Sequence, residues 1–176
     1  MTDDIKKKID VVFIAGGKFH DIDFARLEIL KLLAEDDRMK VRVFEDYSNL
    51  HAIEKADFLI TYTCDVRPTL EQQRVLKNYV SSGNRWLALH GTNSILQFMS
   101  DGKVDSPRIA PVMMETLGSQ FIAHPPIEPY NVKVSQPDHP LVKGVEEFET
   151  TDELYLMELH GDLDVLLEAD YDGKAE

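Results

Sequence analysis

The sequence predicts an α/β fold built on a mostly parallel sheet with helices on both faces. Three observations carry this. The segments 11–15, 58–62 and 86–89 are short apolar runs of the length of strands buried on both faces. Capped, amphipathic helical segments alternate with them, as parallel sheets require. Each run ends in a loop carrying Gly, His or Asp, and loops after parallel strands share the carboxyl edge where open α/β sheets bind ligands.

The first run, Val11-Val12-Phe13-Ile14-Ala15, is β-branched and uncharged, and Gly16-Gly17 end it. The following loop holds His20 and Asp21. Adjacent glycines are not the G-x-G-x-x-G of a dinucleotide site. Lys18-Phe19-His20 also replaces the Ser/Thr-rich loop a flavin phosphate would need, so neither nucleotide nor flavin is expected. Asp23 can cap a helix over about 23–35, with Phe24, Leu27, Leu30 and Leu33 near one face. Residues 40–44 alternate and read as a strand near a sheet edge. A connector at 49–55 has room for one helical turn, and His51 in it reads as a surface residue. After the strand at 58–62, Cys64 and Asp65 lie in its loop. Thr69-Leu70-Glu71-Gln72 is a capping-box pattern opening a helix to about Ser82, which Gly83 ends.

The segment Arg85-Trp86-Leu87-Ala88-Leu89-His90-Gly91 organises the rest. It reads as the central strand followed by a sharp turn. Thr92-Asn93-Ser94 then offers helix-capping side chains before Ile95, Leu96, Phe98 and Met99 resume an apolar pattern. Strand, turn and helix together make a nucleophile elbow, here with histidine at the turn. Further on, residues 109–117 fit a helix closed by Gly118, and 121–126 a rigid loop in which Pro125 keeps His124 extended. Residues 130–134 alternate as a half-exposed strand, 138–141 form a turn, and 165–167 a last strand. No repeat or linker divides the chain, which reads as one domain over 1–176.

Composition narrows the partners. The net charge of −13 argues against nucleic acid and anionic membranes. The single cysteine excludes an intramolecular disulfide and suits a reducing compartment. The charged N-terminus lacks a signal peptide's apolar core, and no run approaches a membrane span, so a cytoplasmic protein is expected.

Leu89-His90-Gly91, Ala123-His124-Pro125, Asp138-His139-Pro140-Leu141 and Thr151-Asp152-Glu153-Leu154-Tyr155, together with Gly16-Gly17 and His20-Asp21, resemble the trehalose-utilisation (ThuA-like) family over about residues 10–170. The resemblance implies the class I glutamine amidotransferase-like fold, a flavodoxin-like three-layer sandwich. It also implies a role with trehalose, related disaccharides or their keto derivatives. Members usually continue past the segment 165–167 into further strands, so this chain is expected to lack them and to expose a sheet edge that invites homo-oligomerisation.

The elbow carries His90 where glutamine hydrolysis needs a thiolate, and no motif pairs Cys64 with a histidine, so the chain is not expected to be a glutaminase. His90 is the candidate general acid/base and Glu153 its carboxylate partner, for isomerisation, epimerisation, hydrolysis or elimination on a sugar. Gly17, His20, Asp21, Asn93 and His124 are the candidate sugar-binding residues. His20, His90 and His124 are expected to converge at the carboxyl edge, with Glu153 close by. Two alternatives stand beside this. Four imidazoles, His20, His90, His124 and His160, with Asp21 and Glu153, could hold a divalent ion such as zinc, although no local ligand spacing marks them as a metal site. The chain could also be a non-catalytic sugar-binding or regulatory module.

Overall fold

The first apolar run becomes β1 (Ile9–Gly17), and every side chain from Val11 to Ala15 is wholly buried. The computed structural model describes residues 7–102, 104–171 and 174–175. The chain divides into two units, Met1–Leu117 and Gly118–Glu176. In chain order the first unit adds α1 (Ile22–Leu33), β2 (Met39–Phe44), α2 (Leu50–Lys55), β3 (Phe58–Cys64), α3 (Leu70–Ser81) and β4 (Arg85–Leu89). A 3₁₀ turn, His90–Asn93, follows, then β5 (Gln97–Phe98), β6 (Val104–Asp105) and α4 (Pro111–Leu117). The main sheet has the order β2-β1-β3-β4, with every pair parallel.

Side chains alternate across a strand, and β1 uses both faces. Val12 and Ile14 pack with Ile53 of α2, Leu76 and Tyr79 of α3, and Met113 and Met114 of α4. Val11, Phe13 and Ala15 pack on the opposite face with Ile29, Leu30 and Leu33 of α1. Burying each such side chain contributes roughly 1.5–3 kcal/mol, so the two cores together outweigh any surface term. This is the expected α/β arrangement, with β2 at an edge and the helices at α1 and α3 near their predicted limits. Among the described residues no helix is long and apolar enough to cross a membrane.

Four local readings are corrected. Asp21, not Asp23, caps α1, accepting a hydrogen bond from the Phe24 amide at 2.9 Å. That starts the helix at Ile22 and turns Ile29, Leu30 and Leu33 inward, leaving Phe24 and Leu27 exposed. The run 86–89 is not the centre of the sheet: among the described residues β4 pairs with β3 alone and stands at the edge, and Leu87 is 45% exposed. An apolar run looks alike whether one or two neighbours flank it, which is why composition misplaced it. The segment that opens at His90 is not an α-helix. A 3₁₀ turn takes its place, and the Thr92 hydroxyl inside it lies 2.9 Å from the Leu89 carbonyl and 3.1 Å from that of Thr61, two acceptors for its single hydrogen. The apolar residues after the turn instead run extended, and Gln97–Phe98 pairs with Val104–Asp105.

The second unit is antiparallel. It comprises β7 (Ser119–Ala123), β8 (Glu128–Val134), a 3₁₀ turn at Pro140–Val142, β9 (Phe148–Asp152), β10 (Leu156–Leu159), β11 (Leu167–Tyr171) and β12 (Lys174–Ala175). β7 pairs with β10, and the remaining strands run in the order β12-β11-β8-β9. Two expectations shift here. Residues 121–123 belong to a strand rather than a loop, because β10 supplies them with a ladder partner distant in sequence. The strand expected at 165–167 is β11, which begins at Leu167, paired with Val134, so residues 165 and 166 precede it. The turn at 138–141 stands as expected. His139 helps to hold it, since its Nδ1 accepts from the Leu141 amide at 3.2 Å.

Candidate active site at the carboxyl edge

The parallel register sets Ala15, Tyr62 and Leu89 level with one another. The loops after β1, β3 and β4 therefore open at one edge. Gly17 and Gly91 let them approach closely. A Cβ on Gly17, whose φ is +107°, would stand 1.9 Å from the Cys64 carbonyl oxygen, and one on Gly91 would stand 2.9 Å from that of Thr63. The non-glycine residues with positive φ among the described residues are Phe19 (70°), Asp65 (55°) and His90 (42°), one in each of these loops. Such conformations cost about 1–3 kcal/mol each and cluster where surroundings impose them.

His90 and His20 meet here, with ring centroids 4.6 Å apart and planes at 71°. Tyr62, from the end of β3, completes the group. Its ring lies 6.2 Å from His90 in a stacked arrangement and 6.1 Å from His20 edge-on. The Nδ1 of His20 lies 3.3 Å from the Lys18 carbonyl, which can only accept, so that nitrogen carries the proton. In the neutral ring the lone pair is then on Nε2. Next to the group lies a polar depression of about 360 Å³, lined by Gly16, Gly17, His20, Asp21, Arg26 and Glu45 among others.

Asp65 ties the loops together. Its carboxylate is 5% exposed and accepts from Lys18 Nζ at 3.1 Å, Arg67 Nε at 3.1 Å and the Leu96 amide at 3.2 Å. Burial alone would raise its pKa, but the hydrogen bonds from Lys18, Arg67 and Leu96 outweigh it and hold the group below the usual carboxylate range. Its own amide donates to the Ser94 carbonyl at 2.9 Å.

Three further candidate residues of the first unit serve the fold. Asn93 is buried within the 3₁₀ turn. Asp21 uses one carboxylate oxygen as the α1 cap. Cys64 is buried, which suits a thiol that packs rather than attacks. His124 and Glu153 belong to the second unit, where His124 Nε2 lies 3.9 Å from Glu153 Oε1. The Nδ1 of His124 lies 2.8 Å from the Pro125 carbonyl oxygen and donates to it. The sequence marks His20 and His90 and places Asp65 in a loop at the same edge, but gives Tyr62 and Lys18 no role at the site. Tyr62 reads as one more strand residue, and only the level register would have shown it beside the histidines.

A parallel α/β sheet with a histidine turn at its carboxyl edge defines a flavodoxin-like protein. The chain belongs to the ThuA family, whose profile, described as trehalose utilisation, matches residues 10–175. Its fold is shared by a ThuA-like protein from Bacteroides uniformis, with TM-score 0.71, 17% identity, and coverage of 94% of this chain and 69% of that one. A ThuA-like protein from Parabacteroides merdae is similar as well, with TM-score 0.62, 19% identity, and coverage of 93% and 68%. No curated protein sequence matches the chain. Family membership supports a carbohydrate-related role.

Proposed function

We propose that the chain acts on a sugar of the disaccharide or keto-disaccharide class by general acid/base chemistry, with His90 as the principal proton-transfer group. The observation that carries this is the pair of imidazoles, His20 and His90, held 4.6 Å apart at the carboxyl edge beside Tyr62. Imidazole changes charge near neutral pH, so it can take a proton from carbon next to a carbonyl and return it elsewhere. That serves isomerisation, epimerisation or elimination; the same groups could assist hydrolysis. Glutamine hydrolysis is not proposed, because the turn offers no thiolate and Cys64 is buried.

Disaccharides and their 3-keto forms, incubated with the purified protein and followed by NMR, test this. His90→Ala is expected to lower turnover about 10²–10⁴-fold. Glu153→Gln measures the share of that carboxylate. Full turnover in His90→Ala would sink the assignment. Binding of the sugar without any turnover would favour the regulatory module. A second reading rests on the same ring pair, which offers two nitrogen ligands to a divalent ion such as zinc. Metal content of the purified protein, and loss of turnover on chelation restored by the ion, would favour it.

A further inference from the structure

We infer that Phe19 and Phe98 form an aromatic platform that binds the apolar face of a pyranose ring, an inference that rests on the sugar reading above. Phe19 sits in the left-handed region at φ 70°. For a bulky residue that backbone is a genuine outlier, and glycine or asparagine would occupy it at less cost. Packing within the protein does not repay the cost, since Phe19 is 59% exposed. Phe98, 60% exposed, stands against it with ring centroids 5.3 Å apart and planes tilted by 46°. Two large apolar rings are thus held together in solvent.

Their neighbours identify the occupant. Lys18, just before Phe19, bridges to Asp65, and His20, just after it, meets His90. One turn therefore presents an aromatic face flanked by a cation and an imidazole. A pyranose ring has the matching character, with a C–H face that lies on an aromatic surface and a rim of hydroxyls for polar partners. An open-chain polyol has the hydroxyls and lacks the face.

Titration calorimetry with trehalose, methyl α-glucopyranoside and mannitol tests the platform, using the full chain and the variants Phe19→Gly and Phe98→Ala. The two pyranosides should bind and mannitol should not. Each variant should weaken trehalose binding about tenfold. Phe19→Gly should at the same time leave the thermal midpoint unchanged or raise it, since glycine relieves the strained φ; a core residue would behave in the opposite way. Equal affinity in wild type and both variants would overturn the platform and leave the sugar reading standing. So would mannitol binding as tightly as trehalose, a lowered midpoint in Phe19→Gly, or a dimer that Phe19→Gly dissolves. Failure of the wild type to bind any sugar would overturn both.

Discussion

At the scale of single residues, Asp65 decides whether the loops around His20 and His90 keep their shape. It is nearly buried, strained in φ, and joined to all three loops through Lys18, Arg67 and the backbone at Leu96 and Ser94. Its cationic partners are themselves well exposed, so removing the charge returns them to water rather than stranding them. Asp65→Asn should therefore cost about 1–3 kcal/mol, the worth of lost charge-assisted hydrogen bonds, and not the larger sum of a fully buried pair. The pH dependence has a definite sign. The folded-state pKa lies below the ordinary value of about 3.9, so the contribution is complete above that value. It is lost as pH falls from there through the depressed folded pKa. Urea unfolding of wild type and Asp65→Asn should differ most at neutral pH and converge in acid. A gap that stays constant down to the lowest pH at which the protein folds would refute the role given to the carboxylate.

At the scale of elements, α3 shows how far local chemistry reaches. Thr69 Oγ1 accepts from the Gln72 amide at 3.3 Å, and Gln72 Oε1 accepts from the Thr69 amide at 2.7 Å. Both halves of the capping box are legible as Thr-x-x-Gln, and so is the stop at Gly83, with φ 87°. Thr69→Ala should cost about 1 kcal/mol, read as a lower urea midpoint at unchanged slope. Where order depends on partners distant in sequence, the residues said less. Val11–Ala15 and Trp86–Leu89 are equally apolar, yet one run is the buried interior of a strand with two neighbours and the other an edge. Residues 121–123 read as loop because nothing nearby announces β10. The same limit shaped the site. His20 and His90 were legible because glycines mark sharp loop ends, whereas Tyr62 and Asp65 acquire their roles only from the register between strands.

At the scale of the whole molecule, two opposed terms meet. Across the described residues β4 has one sheet neighbour, and its Leu87 side chain is half in solvent. Such an edge is a template for pairing, and two copies related by a two-fold axis could join theirs into one continuous sheet. Against this, each copy carries a net charge of −13, and like charges resist approach over a distance set by salt. Screening shortens that distance from about 30 Å at 0.01 M salt to about 10 Å at 0.1 M. Repulsion should therefore govern at low ionic strength and the edge at high, and sedimentation velocity should show dimer increasing with added salt. Leu87→Lys separates the causes. It reduces the net negative charge by one, which by itself would favour association. It also places a charge on the edge strand, which opposes pairing. A variant that stays monomeric at high salt therefore identifies β4 as the interface. A variant that dimerises as readily as wild type assigns the association to another surface, and a wild type that stays monomeric at every salt concentration shows that the edge stays unpaired.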